Sequence, residues 1–210
     1  MRVPLIKAFA TNTYLRRAFG LSLSWDMIRM ELWFVTSSDD KLKEVNEFLH
    51  TSLKRYDLKI KEIQALGVGD VAEDKALKAY SILKKPVLVE DTGLYVRGLS
   101  DFPGSLVKWF TSAVGNEGVC KLMEGMKDRH ARAETCFCLC DGSDIRTFCG
   151  EIEGRITEAP KGKGGFGWDS IFVPEGHDLT FAEMTIVQKG KLSMRSKALA
   201  KLSAYLKTKA

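Results

Sequence analysis

Four short segments of the 210-residue chain put polar side chains where an apolar run ends. The first is Thr36-Ser37-Ser38-Asp39-Asp40-Lys41, between an apolar run and a helical pattern. Hydroxyls and unpaired backbone N–H groups at a helix start cradle phosphate, the helix dipole favours the anion, and Lys41 adds a point charge. The Gly-Lys-Ser/Thr ending of a Walker A loop is absent, and an ordinary helix cap would read the same. The second segment is Glu90-Asp91, after Val87-Leu88-Val89 and before Thr92. Two adjacent carboxylates at a strand end cost desolvation unless a cation or hydrogen bonds compensate. Magnesium takes one or two carboxylates with phosphate oxygens and water, and Glu62, near the end of the preceding strand pattern, offers another. Surface acids are the plain alternative.

The third segment is Gly164-Gly165-Phe166-Gly167-Trp168-Asp169. Glycines let backbone approach a ligand, and an aromatic ring there stacks on a base. A turn around a core aromatic is the other reading. The fourth runs from Lys189 through Lys191 and Ser193-Met194 to Arg195. Cations near a helix N-terminus oppose its dipole, so Arg195 invites an anionic ligand, unless the stretch is a solvated basic face.

The elements that must hold these segments follow from periodicity. Residues 31–36 (ELWFVT) form an apolar run that predicts a buried strand. Ser38 or Asp39 caps a helix with Leu42, Val45, Phe48 and Leu49 on one side. Residues 58–64 (LKIKEIQ) alternate as a half-exposed strand does, and Gly67 and Gly69 mark a loop. A helix over 71–84 is stopped by Pro86, and 87–91 is a strand ending in the two acids. GLYVRGLSDFPGS reads as strand or loop with a turn at Pro103-Gly104. Helices follow around Leu106–Val114 and Asn116–Met126. Strands at 132–140 and 145–157 flank the hairpin signal Asp141-Gly142. The glycine-rich segment runs into the short strand IFV, and a helix from about Ser193 to Leu206 closes the chain. The order predicts one α/β domain, a mixed twisted sheet flanked by helices.

Composition narrows the classes. The formal charge is +5, but residues 1–29 hold five of the 32 basic residues and one of the 27 acidic ones. The rest carries 27 basic against 26 acidic residues, which argues against a broad nucleic-acid face. No run reaches 18 apolar residues, so a membrane-spanning helix is excluded. Of the five cysteines, Cys136, Cys138 and Cys140 alternate onto one side of a strand, and buried, reduced thiols of a cytosolic protein are expected. Residues 1–29 are basic with no acid before Asp26, which fits an organelle presequence, an over-long start or a loose, disordered extension before a domain spanning 30–210.

Together the segments resemble the Ham1 family, the inosine triphosphate pyrophosphatases. VLVEDTGLYVRGLSDFPGSLVKWF, GKGGFGWDSIFVPEGHDLTFAEM and KGKLSMRSKALAKL stand in that family's order, and FVTSSDDKLKEVNEFL matches its opening strand and helix. The resemblance implies an elongated mixed sheet flanked by helices, in two lobes with a central cleft. It also implies Mg²⁺-dependent hydrolysis of nucleoside triphosphates to monophosphate and pyrophosphate. The substrates would be deaminated purine nucleotides (ITP, dITP, XTP), and the enzyme a cytoplasmic homodimer. Carried position by position, the metal falls on Glu62 and Asp91, with Asp91 also the proposed general base. The phosphates fall on Lys41, Lys75 and Lys108, beside Thr36, Ser37, Ser38, Glu90 and Thr92. The base falls on Phe166, Gly167, Trp168 and Asp169, with Lys189, Met194 and Arg195 closing the pocket.

Some positions depart from the family. Its Thr-Gly-Asn opening is Thr36-Ser37-Ser38, so Ser37 adds a Cβ where backbone approaches phosphate. Its Ser-His-Arg is Ser193-Met194-Arg195, and methionine cannot donate the hydrogen bond that histidine offers a purine. Leu106 replaces an aromatic after the Pro-Gly turn, and Ser170 replaces a proline after Asp169. Alternatives to the purine reading are a pyrophosphatase for another modified nucleotide and a nucleotide-binding protein without turnover.

Overall fold

The computed structural model describes residues 32–208; the 1–29 extension lies outside the described residues. Strand β1 (Trp33–Val35) is short and buried, and Ser38 then caps helix α1 (Asp39–Leu49), its hydroxyl accepting from the Lys41 N–H at 3.2 Å. Asp39 and Asp40 in the first turn complement the helix dipole. After β2 (Lys54–Tyr56) comes the expected strand at 58–64, but this stretch has no regular structure. Leu58 and Ile60 do pack against the core, so the alternation is real. A strand also needs a pairing neighbour, and β1 ends at Val35, opposite Tyr56.

Helix α2 (Val68–Leu83) ends at Lys84 in the left-handed region, just before Pro86. The predicted strand at 87–91 continues as β3 (Val87–Val96), so Glu90 and Asp91 lie mid-strand and not at its end. The extension comes from pairing with β5 along the whole of β3, which local sequence does not reveal. The Pro103-Gly104 turn belongs to a short strand β4 (Phe102–Gly104), antiparallel to the end of β3. Helix α3 (Val107–Leu122) merges the two expected helices across a break at Gly115. Strands β5 (His130–Cys140) and β6 (Ile145–Ile156) form the predicted hairpin, and β7 (Phe172–Pro174) is the predicted IFV strand. Helix α4 (Ile186–Leu192), missed in the sequence, opens with a capping box between Thr185 and Gln188. It precedes α5 (Met194–Thr208).

The mixed sheet has the order β2-β1-β3-β5-β6-β7, with β4 also on β3. β1 is parallel to β2 and β3, and all other pairs are antiparallel. Side chains alternate between the two faces. Phe34, Leu88 and Phe137 meet α1 and α5 through Val45, Leu199 and Leu202. Val35, Val87, Val89, Cys136 and Cys138 meet α2 through Ala72, Ala76 and Ala79, whose small size lets the helix lie close. A third cluster gathers Leu94, Val119, Met123, Trp168, Phe172 and Phe181. At about 1.5–3 kcal/mol per fully buried large apolar side chain, these clusters carry the stability.

The expectation of reduced thiols is corrected at one pair. Cys136 and Cys149 stand opposite each other in the β5–β6 register, Cα–Cα 4.1 Å, and form a disulfide. Cys120, Cys138 and Cys140 are free and buried. The pairing depends on strand register, which no single segment encodes.

Candidate active site

The cleft begins with a gap in the sheet. On one edge of β3, β1 covers Val87–Val89 and β4 covers Leu94–Val96. Glu90, Asp91, Thr92 and Gly93 lie between, paired only to β5 on the other edge. The two acids point to opposite faces of the strand. The cleft below this gap holds about 370 Å³. Fifteen of the seventeen residues singled out from sequence line it. These are Thr36, Ser37, Ser38, Lys41, Glu62, Lys75, Asp91, Thr92, Lys108, Phe166, Gly167, Trp168, Asp169, Met194 and Arg195. The other two, Glu90 and Lys189, are buried behind its wall and ion-paired to residues that line it.

Glu90 is 2% exposed. Burial alone would raise its pKa. The Arg195 guanidinium, then Lys41, and hydrogen bonds from Arg195 and Thr92 together outweigh this, and the carboxyl is held at about 2. Arg195 Nη2 lies 2.9 Å and Lys41 Nζ 3.3 Å from Glu90 Oε1. Thr92 donates to the same oxygen at 2.7 Å. Arg195 is itself buried, and despite that burial its two acidic partners, Glu90 and Glu44, raise its pKa.

Asp91 is the opposite case. Burial pushes its carboxyl up to about 7; Lys41 and Lys75 resist the rise, while Glu62 and Glu90 add to it. Its Oδ2 is buried and has no hydrogen-bond partner among the described residues. Lys75 Nζ sits 2.6 Å from Glu62 Oε1. Burial would raise Glu62, but Lys75, then Lys108 and Lys41, hold it low. A buried carboxylate oxygen without a partner, next to a second ionised carboxylate, is the hard-oxygen donor set that Mg²⁺ accepts. The residues present therefore fit a divalent cation held by Asp91 and Glu62.

The far wall is the glycine-rich loop. Asp169 is 4% exposed, and its Oδ2 accepts from the Phe166 N–H at 2.8 Å and from Lys189 Nζ at 2.7 Å. The Phe166 ring faces two cations, Lys189 Nζ at 4.7 Å from its centroid and the Arg195 guanidinium at 5.4 Å. Trp168 anchors the loop in the core, edge-on to Phe172 at 5.5 Å. Met194, 2% exposed, packs in the same cluster while lining the cleft. Wall and cleft thus combine a lysine-rich end, a carboxylate pair and an aromatic end.

The sequence reading missed Glu44. It stands one turn after Lys41 on α1, pairs with Lys189 at 3.0 Å and with Arg195, and ties α1 to the loop wall. Lys41 and Glu44 at i, i+3 was the available signal. Ser105, Trp109, Thr111 and Ser112 also line the cleft; none was singled out from sequence, although Ser105 and Trp109 stand within the segment VLVEDTGLYVRGLSDFPGSLVKWF.

The Ham1 family model matches residues 32–205. The chain belongs to the Ham1 family. It is 45% identical over 175 residues to inosine triphosphate pyrophosphatase 1 of Trypanosoma cruzi, covering 81% of this chain and 89% of that relative. It is 36% identical over 182 residues to the dITP/XTP pyrophosphatase of Saccharolobus solfataricus, covering 85% and 95%. The solved HAM1 protein of Coxiella burnetii superimposes with a TM-score of 0.76 at 28% identity, over 86% of this chain and 99% of that one. The Ham1 fold expected from the sequence is thus the observed one, a mixed open sheet flanked by helices. Among the described residues of this Ham1 protein, no helix is long and apolar enough to cross a membrane.

Proposed function

We propose that this Ham1 protein hydrolyses nucleoside triphosphates of deaminated purines to monophosphate and pyrophosphate. The observation that carries the reading is Asp91. A buried carboxyl pushed to about 7, with one oxygen unpartnered, sits in a lysine-lined cleft opposite an aromatic loop. The names of its relatives support the substrate class: inosine triphosphate for one, dITP and XTP for another.

In this reading the triphosphate lies along Lys41, Lys75 and Lys108, and the base stacks at Phe166 within the Phe166–Asp169 loop. Water attacks the α-phosphorus; a new P–O bond forms, the bond to the bridging α–β oxygen breaks, and pyrophosphate leaves. Asp91 takes the proton from the attacking water on its buried, otherwise unpartnered oxygen. Mg²⁺, held by Glu62 and Asp91, would neutralise charge developing on the leaving pyrophosphate. The lysines hold charge in place without covalent chemistry. Glu90 does not act on substrate; it keeps Arg195 and Lys41 aligned.

The activity is assigned to residues 30–210. A cytoplasmic homodimer belongs to the same reading and rests on family membership; sedimentation should give about twice the 23.5 kDa chain mass. Met194 favours a second reading, a different preferred base. The deciding experiment measures pyrophosphate and phosphate release across a nucleotide panel that includes ITP, XTP, ATP and modified pyrimidines. Pyrophosphate from ITP and XTP, lost on chelation and restored by Mg²⁺, is the expected result. Release of single phosphates, or no turnover with any nucleotide, refutes the proposal.

A further inference from the structure

We propose that Asn116 is a positioning residue for the loop that receives the nucleotide base, an inference that rests on the base-binding role assigned above to Phe166–Asp169. Asn116 follows Gly115, where α3 breaks at φ 72°, ψ 169°. Those angles lie in a region that essentially only glycine occupies, so the break is built into the backbone. It puts Asn116 at the head of the second helical segment, beside the loop.

From there the Asn116 amide nitrogen donates to the Gly167 carbonyl at 2.8 Å and to Ser170 Oγ at 3.0 Å. The orientation is determined by chemistry: a carbonyl oxygen only accepts, so the NH₂ must face it. No backbone N–H among the described residues takes that carbonyl. Gly165 and Gly167 have φ of +67° and +61°, so two of three consecutive residues are in conformations that cost glycine's entropy to hold. The loop therefore needs tethers. Asp169 supplies the inner one through the Phe166 N–H, and Asn116 supplies the outer one. Gly167 is the link between Trp168, anchored in the core, and Phe166, which faces the cleft. Holding the Gly167 peptide is what determines where the Phe166 ring stands. The start of the same helix, at Lys108, forms part of the cleft wall near Lys75 and Glu62. One helix thus touches the site at its phosphate end and steadies it at its base end.

If the loop without its outer tether keeps the receptive shape about a tenth of the time, apparent affinity for a nucleotide falls about ten-fold while turnover of the bound complex is preserved. The test uses Asn116→Ala and Asn116→Asp in the full chain. Aspartate matches asparagine in shape and suits a first helical turn, but it offers the Gly167 carbonyl a charged acceptor instead of a donor. Both variants should raise KM for ITP about ten-fold, leave kcat within about two-fold, and melt near the parent temperature. Inhibition by inorganic tripolyphosphate, which has no base, should be unchanged. A parental KM in Asn116→Asp would reduce Asn116 to a helix-start residue and overturn the proposal, as would equal weakening of tripolyphosphate. Phe166→Ala separates the two levels: an unchanged KM there removes the base-loop reading itself, and this inference with it.

Discussion

Glu90 and Asp91 are chain neighbours in the same strand, yet one is held ionised down to about pH 2 and the other keeps its proton to about pH 7. Strand alternation is the cause. Glu90 points towards Arg195 and Lys41, with its two oxygens taken up by Arg195 and Thr92. Asp91 points to the other face, where one oxygen has no partner among the described residues. Adjacent strand positions thus hold a fixed ion pair and an unpaired, protonatable carboxyl side by side.

Asp91 gives the first prediction. Asp91→Asn should lower kcat on the order of a hundredfold or more through loss of base and metal-ligand function. It should also stabilise the metal-free protein. The folded pKa lies above the unfolded one, so the Asp91 contribution is fully present below about pH 3.8 and is lost as pH rises through about 7. At pH 8 the wild-type carboxylate costs up to about 4 kcal/mol, roughly three pKa units. Melting with chelator at pH 5 and pH 8 checks this: the wild type should lose stability between the two, and the asparagine variant should lose less.

For Glu90 the sign reverses. Its folded pKa is depressed, so the stabilisation is present above about pH 4.5 and fades as pH falls towards 2. Glu90→Gln leaves the buried Arg195 with Glu44 as its remaining acidic partner. Breaking a buried pair in this way costs about 3–5 kcal/mol. Urea unfolding at pH 7 should show a lower midpoint with an unchanged slope; a midpoint shift worth under about 1 kcal/mol would mean that Glu44 alone compensates the buried guanidinium.

Met194 bears on selectivity. Its thioether offers mostly apolar contact, which discriminates by about 1–3 kcal/mol, whereas an unpaired polar group rejects the wrong base more strongly. Met194→His should raise the ratio of kcat/KM for ITP over ATP about ten-fold. Some preference is expected without it, through Asp169, Lys189 and the loop backbone. An unchanged ratio would show that residue 194 serves only the packing cluster around Trp168.

Removing residues 1–29 should leave turnover intact. Among the described residues the first strand begins at Trp33 and the core at Leu32, and the family match covers 32–205. A chain beginning at Met30 should show the parental kcat and melt within a few degrees of the parent. Failure to fold would mean that the extension packs on the domain.

Local sequence determined much of this protein. Apolar periodicity set α1, α2, α5 and the β5–β6 hairpin to within a few residues, because caps, turns and side-chain spacing act over one or two helical turns. The residue types of the site were legible for the same reason: carboxylates after an apolar run, lysines, and a glycine-rich loop with aromatics. What local sequence could not determine was pairing. Whether 58–64 is a strand, where β3 ends, that Cys136 meets Cys149, and that Glu44 closes an ion-pair network with Lys189 and Arg195 all depend on partners far along the chain. The same holds for the opposite charge behaviour of Glu90 and Asp91. Both are acids on one short segment, and only the tertiary structure, by burying one against a guanidinium and the other beside a cleft, separates them.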